Sequence, residues 1–444
     1  MSLLLYDPAP LRLLSSAVRA ESQRIVPSLY AVLDLAAPGG TLRWSPEAVA
    51  SAASGQYSGR LMSVGSAVQA IDLSSPRLND LQLTVRIADT DQMFAKRHAA
   101  YRNSLRGSAA TIRVLSPRVP DSDALVGFVG ILDSYQMIES SAWELRLRTD
   151  DVALKNTDIP RLTINRGDWP NAHADALNKA APVLWGDHNS ANLSGKGMVD
   201  CHCVDTVAYK YAPSLGVLAN VRALYKDGVK QTTGWSVAPE TRNARTWTVV
   251  TLASSAGDSA ITADVEGVTN IYDGSGAEIT NPVRQIEHML TCFVFSNWTS
   301  GAYPTTTRID RSTFAQVADW MDARGHRGSL TLGGGEKERA LAVFERWCVD
   351  FGVYPYWTLA GTIGLGVLDW APPAGYPELL LKETDLRGPV KCPFDASQLT
   401  RELALRYCYD SSEGEYKFER LVSDISVVER VSASRDMRYG KAGM

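Results

Sequence analysis

Leu81-Gln82-Leu83-Thr84-Val85-Arg86-Ile87 alternates without interruption. Leu81, Leu83, Val85 and Ile87 fall on one face and Gln82, Thr84 and Arg86 on the other, the period of two expected of a strand with one dry and one wet side. Trp143-Glu144-Leu145-Arg146-Leu147-Arg148 repeats the pattern, with Trp143, Leu145 and Leu147 directed inward. Sheets of this kind build sandwiches and barrels. The pattern predicts that residues 1–155 form a mostly β domain, interrupted by a short helix near 91–102.

Short strands separated by turns continue through 156–268, the second predicted domain. Tyr225-Lys226-Asp227-Gly228-Val229 carries an Asp-Gly hairpin signal. Thr246–Val250 and Ile261–Gly267 read as further strands. The period then changes. After the turn Asp273-Gly274-Ser275-Gly276, Asn281 followed by Pro282 has the form of an N-cap and a first-turn proline. Val283, Ile286, Leu290 and Phe293 follow at helical spacing. Two more helices are predicted at 312–323, with Phe314, Val317, Ala318 and Met321 on one stripe, and at 336–349, with Leu341, Phe344 and Cys348. These define a helix-containing domain over 269–372. Strands return in a C-terminal segment, 373–444, notably Leu403–Tyr409. The expected fold class is therefore a β-rich, multi-domain α+β protein.

At 444 residues the chain exceeds one ordinary core, and about two to four domains are expected. The formal charge of −4, from 45 basic and 49 acidic residues, argues against a protein that grips nucleic acid through a large basic surface. Asp7 and two prolines occupy the start where a secretory signal would place a basic segment and an apolar core. The longest apolar run, Met289–Phe295, is far short of a membrane span, so assembly in a cytoplasm without membrane insertion is expected.

The densest reactive cluster is Val199-Asp200-Cys201-His202-Cys203-Val204-Asp205. On a single strand Val199, Cys201 and Cys203 share a face, and Asp200 and His202 take the other. The imidazole would then point away from both thiols. Cα atoms two apart on a strand lie roughly 6.5–7 Å from each other, at the limit for a disulfide. No second ligand pair accompanies the cluster, so the thiols are read as core and neither metal nor cofactor is expected. Leu332-Gly333-Gly334-Gly335-Glu336-Lys337-Glu338 lacks the spacing of a phosphate loop and reads as a flexible entry to a helix. No G-x-S-x-G, H-E-x-x-H or calcium-loop pattern is present, and no catalytic residue is assigned.

Several stretches, in order, resemble the hub proteins at the tail tip or baseplate centre of tailed bacteriophages. Gly59–Gly65, with Leu81 to Phe94 ending in Asp89-Thr90-Asp91, is similar to the opening domain of that group. Ala181–Asp187, which contains Trp185, Gly186 and Asp187, is similar to the segment that begins the next domain. Val204–Val207 with Tyr209, and Leu224–Val229 with Asp227 and Gly228, resemble its following strands. Ile261–Gly267, with Asp264 and Gly267, followed by the 273–276 spacer and Thr280-Asn281-Pro282-Val283, is similar to the transition into a helix in the same proteins. Tyr407–Tyr416 and Met437-Arg438-Tyr439-Gly440 resemble their closing strand and turn.

The resemblance implies tube-like β-barrel domains, a small β domain and a helix-containing domain. The second β domain would be 156–268, and a second barrel would be assembled from 176–268 and 373–444 around an inserted helical part. It also implies a homotrimeric structural subunit of the virion, with no enzyme activity. Such a hub rings the tail channel, contacts the distal tail and tape measure proteins, and anchors fibres or a spike. DNA passes through it at infection without being specifically bound. An alternative expectation is a host-surface glycan-binding tail module using aromatic loops such as Val353–Trp357. A cell-wall hydrolase lacks a visible nucleophile, metal set or acid pair.

Overall fold

The computed structural model describes residues 30–367, except 52–54, 68, 70–76, 102–103, 117–123, 140, 190–195, 272–274, 297–303 and 305. It also gives the backbone of two strands at 402–410 and 415–423; at 49–51 too only the backbone is described. Tyr439, Gly440 and the first half of the 273–276 turn lie outside the described residues.

The alternating stretch forms β6 of a sheet built from β1 (Tyr30–Ala37), β2 (Gly40–Ser45), β3 (Val49–Ser51), β4 (Gly55–Gly59), β5 (Leu61–Val64), β6 (Gln82–Ala88), β7 (Ala109–Leu115), β8 (Leu125–Glu139) and β9 (Ala142–Arg148). Their order is β3-β4-β2-β1-β7-β8-β9-β6-β5. The predicted faces hold: Leu81, Leu83, Val85 and Ile87 are buried, while Gln82 and Arg86 are exposed. Glu144, expected on the wet face of β9, is buried instead. It accepts from Arg86 Nη2 at 3.2 Å and from Gln136 Nε2 at 2.9 Å, which offsets its desolvation.

Only Arg60 separates β4 from β5, yet β5 is one edge of the sheet and β4 lies next to the other edge, β3. Ser58 and Gly59 pair with Trp44 and Ser45, while Leu61–Val64 pair with Ile87–Val85. The kink is fixed through Arg60, whose N–H donates to Ser58 O and whose carbonyl accepts from Ala88 N–H, each at 2.8 Å. The sheet therefore curls until β4 and β5 meet in one bent segment. No sheet closes as an unbroken ladder among the described residues, so the closed, tube-like barrel implied by the resemblance is a curled, seamed sheet within this chain.

A helix, α1 (Met93–Tyr101), plugs one end of the curl. Phe94 is fully buried, with ring centroids 5.1 Å from Trp143, 5.5 Å from Tyr135 and 6.3 Å from Trp44. Asp89 aims the helix: its two carboxylate oxygens accept from Phe94 N–H and Ala95 N–H at 2.8 Å each. Asp91 pairs with Arg60 at the kink. Asp89→Ala is expected to cost about 2 kcal/mol, because a buried charged cap leaves two amides unsatisfied. Urea unfolding of Asp89→Ala beside Asp89→Asn measures it, and Asn, which keeps one acceptor, should recover about half.

Beyond α2 (Val152–Asn156) the chain builds two smaller sheets. Its strands are β10 (Asp158–Ile159), β11 (Val183–Trp185), β12 (Asp187–His188), β13 (Val199–Asp200), β14 (His202–Asp205), β15 (Lys210–Leu215), β16 (Leu218–Lys226), β17 (Val229–Gln231), β18 (Trp235–Arg242), β19 (Arg245–Leu252) and β20 (Ile261–Val268). One sheet runs β12-β20-β16-β17, with β13 also on β20; the other runs β14-β15-β19-β18. The helical part comprises α3 (Pro282–Met289), α4 (Arg311–Ala323), β21 (Leu330–Leu332), β22 (Glu338–Arg339), α5 (Ala340–Asp350) and the hairpin β23 (Val353–Trp357) with β24 (Ile363–Val367). α3 runs on into a π-helical turn, Leu290–Val294, so all four predicted stripe residues from Val283 to Phe293 are buried.

The helix expected from 336 begins instead at Ala340, because Glu338 and Arg339 are taken up in pairing with β10. β11 pairs with β21 likewise. These ladders join 158–185 to 330–339, on either side of the 268/269 division. The curled sheet is tied to the helical part by Val129 N–H to Leu359 O at 2.9 Å, Leu78 N–H to Glu345 Oε1 at 3.1 Å and Arg308 Nη2 to Asp150 Oδ2 at 2.6 Å. The last two strands, β25 (Glu402–Asp410) and β26 (Glu415–Ser423), pair with each other, and no described ladder joins them to 176–268.

Candidate functional site

Trp185, Gly186, Asp187, Gly267, Asn281 and Pro282, spread over nearly a hundred residues of sequence, come together where β11, β20 and α3 cross. At Gly186 the chain leaves one ladder for another: β11 pairs with β21, β12 with β20. Gly186 has φ +76°, and a Cβ there would lie 2.0 Å from Gly328 O. Across from it, Gly267 N–H donates to Gly186 O at 2.8 Å, and a Cβ on Gly267 would lie 2.5 Å from Gly186 N and 2.6 Å from Trp185 Cα. Two backbones touch without an intervening side chain, the close approach only glycine permits.

Trp185 is fully buried beneath this crossing. Its indole N–H donates to His288 Nδ1 at 3.3 Å, and its ring meets Trp347 edge-on at 5.4 Å and Phe293 at 6.1 Å. Burial holds the His288 imidazole down at about 3, so it is neutral and can accept that bond. α3 is fixed by Asn281, whose Oδ1 accepts from Val283 N–H at 3.0 Å and Arg284 N–H at 3.3 Å, while its amide donates to Ala318 O at 2.9 Å. Pro282 occupies the first turn, where its missing N–H leaves no bond unmade. Gln285 donates to Ile279 O and Gly328 O at 2.7 Å each, tying α3 to the segment under Gly186.

On the outer side, Asp187 accepts from Arg222 Nη1 at 2.6 Å, and Arg222 also donates to Glu266 Oε1 at 2.7 and 2.9 Å. The carboxyl of Glu278, beside them, is raised by burial and then by Asp187 and Glu266. These charges sit at the surface and orient the crossing more than they stabilise it.

The remaining resemblance residues lie apart. Asp89, Asp91 and Phe94 serve the curled sheet. Asp227 and Gly228 form the β16–β17 turn with φ +49° and +75°, and Asp227 Oδ1 accepts from Ala260 N–H at 2.9 Å. Asp264 is buried and accepts from Tyr225 Oη at 2.8 Å.

The cysteine-rich stretch is not one strand. Val199 and Asp200 pair with β20 in one sheet, and His202 onward pairs with β15 in the other. The switch at Cys201 shifts the alternation by one. Cys201 stays buried as expected, but His202 and Val204 are buried too, and Cys203 becomes half-buried. Burial raises the Cys201 thiol, away from the reactive thiolate. Among the described residues no three His, Cys, Asp or Glu side chains converge to hold a metal ion. Of the aromatics in Val353–Trp357, Tyr354 and Trp357 are buried. Among the described residues no helix is long and apolar enough to cross a membrane.

The buried imidazoles set an acid limit. His202 is held at about 4 by burial and then Lys179, His288 at about 3, and His188 is lowered by burial. Groups neutral in the fold stabilise it above pH about 6.5 and lose that contribution as pH falls toward their folded values. Asp350 acts the other way. Burial raises its carboxyl to about 8, so it favours the fold at low pH and opposes it as pH rises from about 4 to 8. With His202 and His288 against Asp350, the net loss between pH 6.5 and 5 is about 1 kcal/mol, checked by urea midpoints at the two pH values. Asp350→Asn should raise stability at pH 7.5 and steepen the acid loss.

The sequence named the residues at this crossing through the resemblance, but the signal that would have joined Gly186 to Gly267 is a contact between distant strands. His288 and Trp347, which complete the buried cluster, carry no local sign beyond helical spacing. No family model matches the chain. No curated protein matches it either. Among solved structures, a chain of the virion of a native gene transfer agent particle is similar at 15% identity, covering 57% of this chain and 85% of that one, with a TM-score of 0.26, too loose a superposition to fix a shared fold or role.

Proposed function

We propose that the chain is a structural subunit of a phage-like virion, and more narrowly a hub of the tail tip or baseplate, assembled in the host cytoplasm. As a homotrimer it would ring the tail channel, contact the distal tail and tape measure proteins, anchor fibres or a spike, and let DNA pass without specific binding. The observation that carries this reading is the joint at Gly186 and Gly267. Residues picked out by their likeness to hub proteins meet there, and each is occupied in holding one strand crossing. The curled sheet supports it further, because its outer strands among the described residues, β3 and β5, leave edges for pairing across subunits. A net charge of −4 suits a channel that must not retain DNA.

Light scattering and negative-stain microscopy of the purified full chain, alone and co-expressed with distal tail and tape measure proteins, test the proposal. Trimeric rings, or incorporation into a tail-tip complex, are expected. A strict monomer at high concentration that joins no tail component would refute it.

A further inference from the structure

The helices are not held alike. α3, with eight residues, buries seven of them, and α4 and α5 bury five and six. α1, with nine, buries Phe94 alone and exposes Met93, Lys96, Ala99, Ala100 and Tyr101. A helix this short is marginal in water without a packed face, so its closure rests on a few attachments. Elements with few buried apolar contacts open at a lower free energy than the fold as a whole.

The attachments fall at three places. Asp89 and Asp91 hold the point where the chain leaves β6, through the two capping bonds and the pair with Arg60. In the middle, Phe94 fills a socket walled by Trp44, Tyr135 and Trp143. His98, one turn on, meets the same walls, with centroids 5.4 Å from Tyr135 and 5.5 Å from Trp143. Toward the far end, Arg97 reaches the turn between β1 and β2, where Nη1 donates to Pro38 O at 3.0 Å. It lies there on bare backbone. A Cβ on Gly39 would overlap Arg97 Nη1 and lie 3.1 Å from Tyr101 Oη, and Gly39 has φ +81°. The turn is thus a seat for the guanidinium that glycine leaves open.

We propose that α1 is a lid, latched on Gly39 by Arg97, that swings off the end of the curled sheet while the strands stay paired. Opening withdraws Phe94 and bares the aromatic walls Trp44, Tyr135 and Trp143. The lid does not depend on the hub reading, and its test is made on the isolated full chain.

Native-state hydrogen exchange across a urea series, read by mass spectrometry, tests it. Peptides of α1 are expected to exchange roughly 100-fold or more faster than those of β6 and β9, with little dependence on urea, the mark of a local opening. Arg97→Ala removes a charge-assisted bond and should speed α1 exchange about tenfold, still with little dependence on urea. Arg97→Lys, which keeps a donor for Pro38 O, should recover part of the difference. If α1 exchanges at the rate of β6 and β9 and with their urea dependence, the helix leaves only when the sheet unfolds and the proposal is overturned. An α1 rate unchanged by Arg97→Ala overturns the latch.

Discussion

Gly267→Ala is expected to abolish the native joint, leaving a chain that is insoluble or destabilised by at least about 3 kcal/mol. The reason is geometric. The added methyl would sit 2.5 Å from Gly186 N, 2.6 Å from Trp185 Cα and 2.7 Å from Trp185 C. All three are backbone atoms, so no rotamer change can relieve the overlap. Moving the strands apart would break Gly267 N–H to Gly186 O and pull Trp185 from beneath the crossing. Gly186→Ala should behave alike, since its Cβ would meet Gly328 O and its φ of +76° disfavours any side chain. Gly335→Ala is the control: nothing lies within 4 Å, and no loss of stability is expected. Soluble yield and urea midpoints of the three variants provide the measurement. A Gly267→Ala protein as stable as Gly335→Ala would mean that the two backbones do not cross in contact.

Trp185→Ala should cost about 4–5 kcal/mol, near the top of the range for buried aromatic truncations. The indole is wholly buried among Trp347, Phe293 and His288, and β11 and α3 are both locked in place, so the site collapses poorly. Its removal also takes the N–H donor from His288 Nδ1, leaving a buried acceptor to be desolvated without that partner. Trp185→Phe separates the two effects, because it keeps much of the apolar volume and loses the donor; a cost of about 1–2 kcal/mol is expected. Equilibrium unfolding followed by far-ultraviolet circular dichroism measures both variants. Equal costs for Ala and Phe would assign the stabilisation to the hydrogen bond instead of packing.

Both variants concern a joint whose residues were named from the sequence but whose contact was not. Leu81–Ile87 and Trp143–Arg148 announced their strands because each side chain's environment follows from its position in a period of two. Asn281-Pro282 announced α3 because a cap is a local hydrogen-bonding device, and Asp227-Gly228 announced a hairpin because left-handed backbone is local too. The readings that changed involve partners far along the chain. Glu338 and Arg339 would continue a helix by their own preferences, but β10 claims their backbone. Cys203 would face a core if 199–205 were a single strand, but β20 and β15 draw the two halves into different sheets.

By itself the sequence determined the β-rich class, the change to helical period after residue 276 and the caps and turns that start individual elements. These depend on interactions within a few residues, which periodicity and cap chemistry encode directly. Only the tertiary structure decided that β5 forms one edge of a sheet while β4 lies next to the other, that Gly186 and Gly267 meet backbone to backbone, and that the Gly333–Gly335 loop, flexible by its sequence, is pinned on both sides of Ala180. A glycine in a sequence states that a side chain is absent. What occupies the space it leaves is settled only when strands distant along the chain are packed against it.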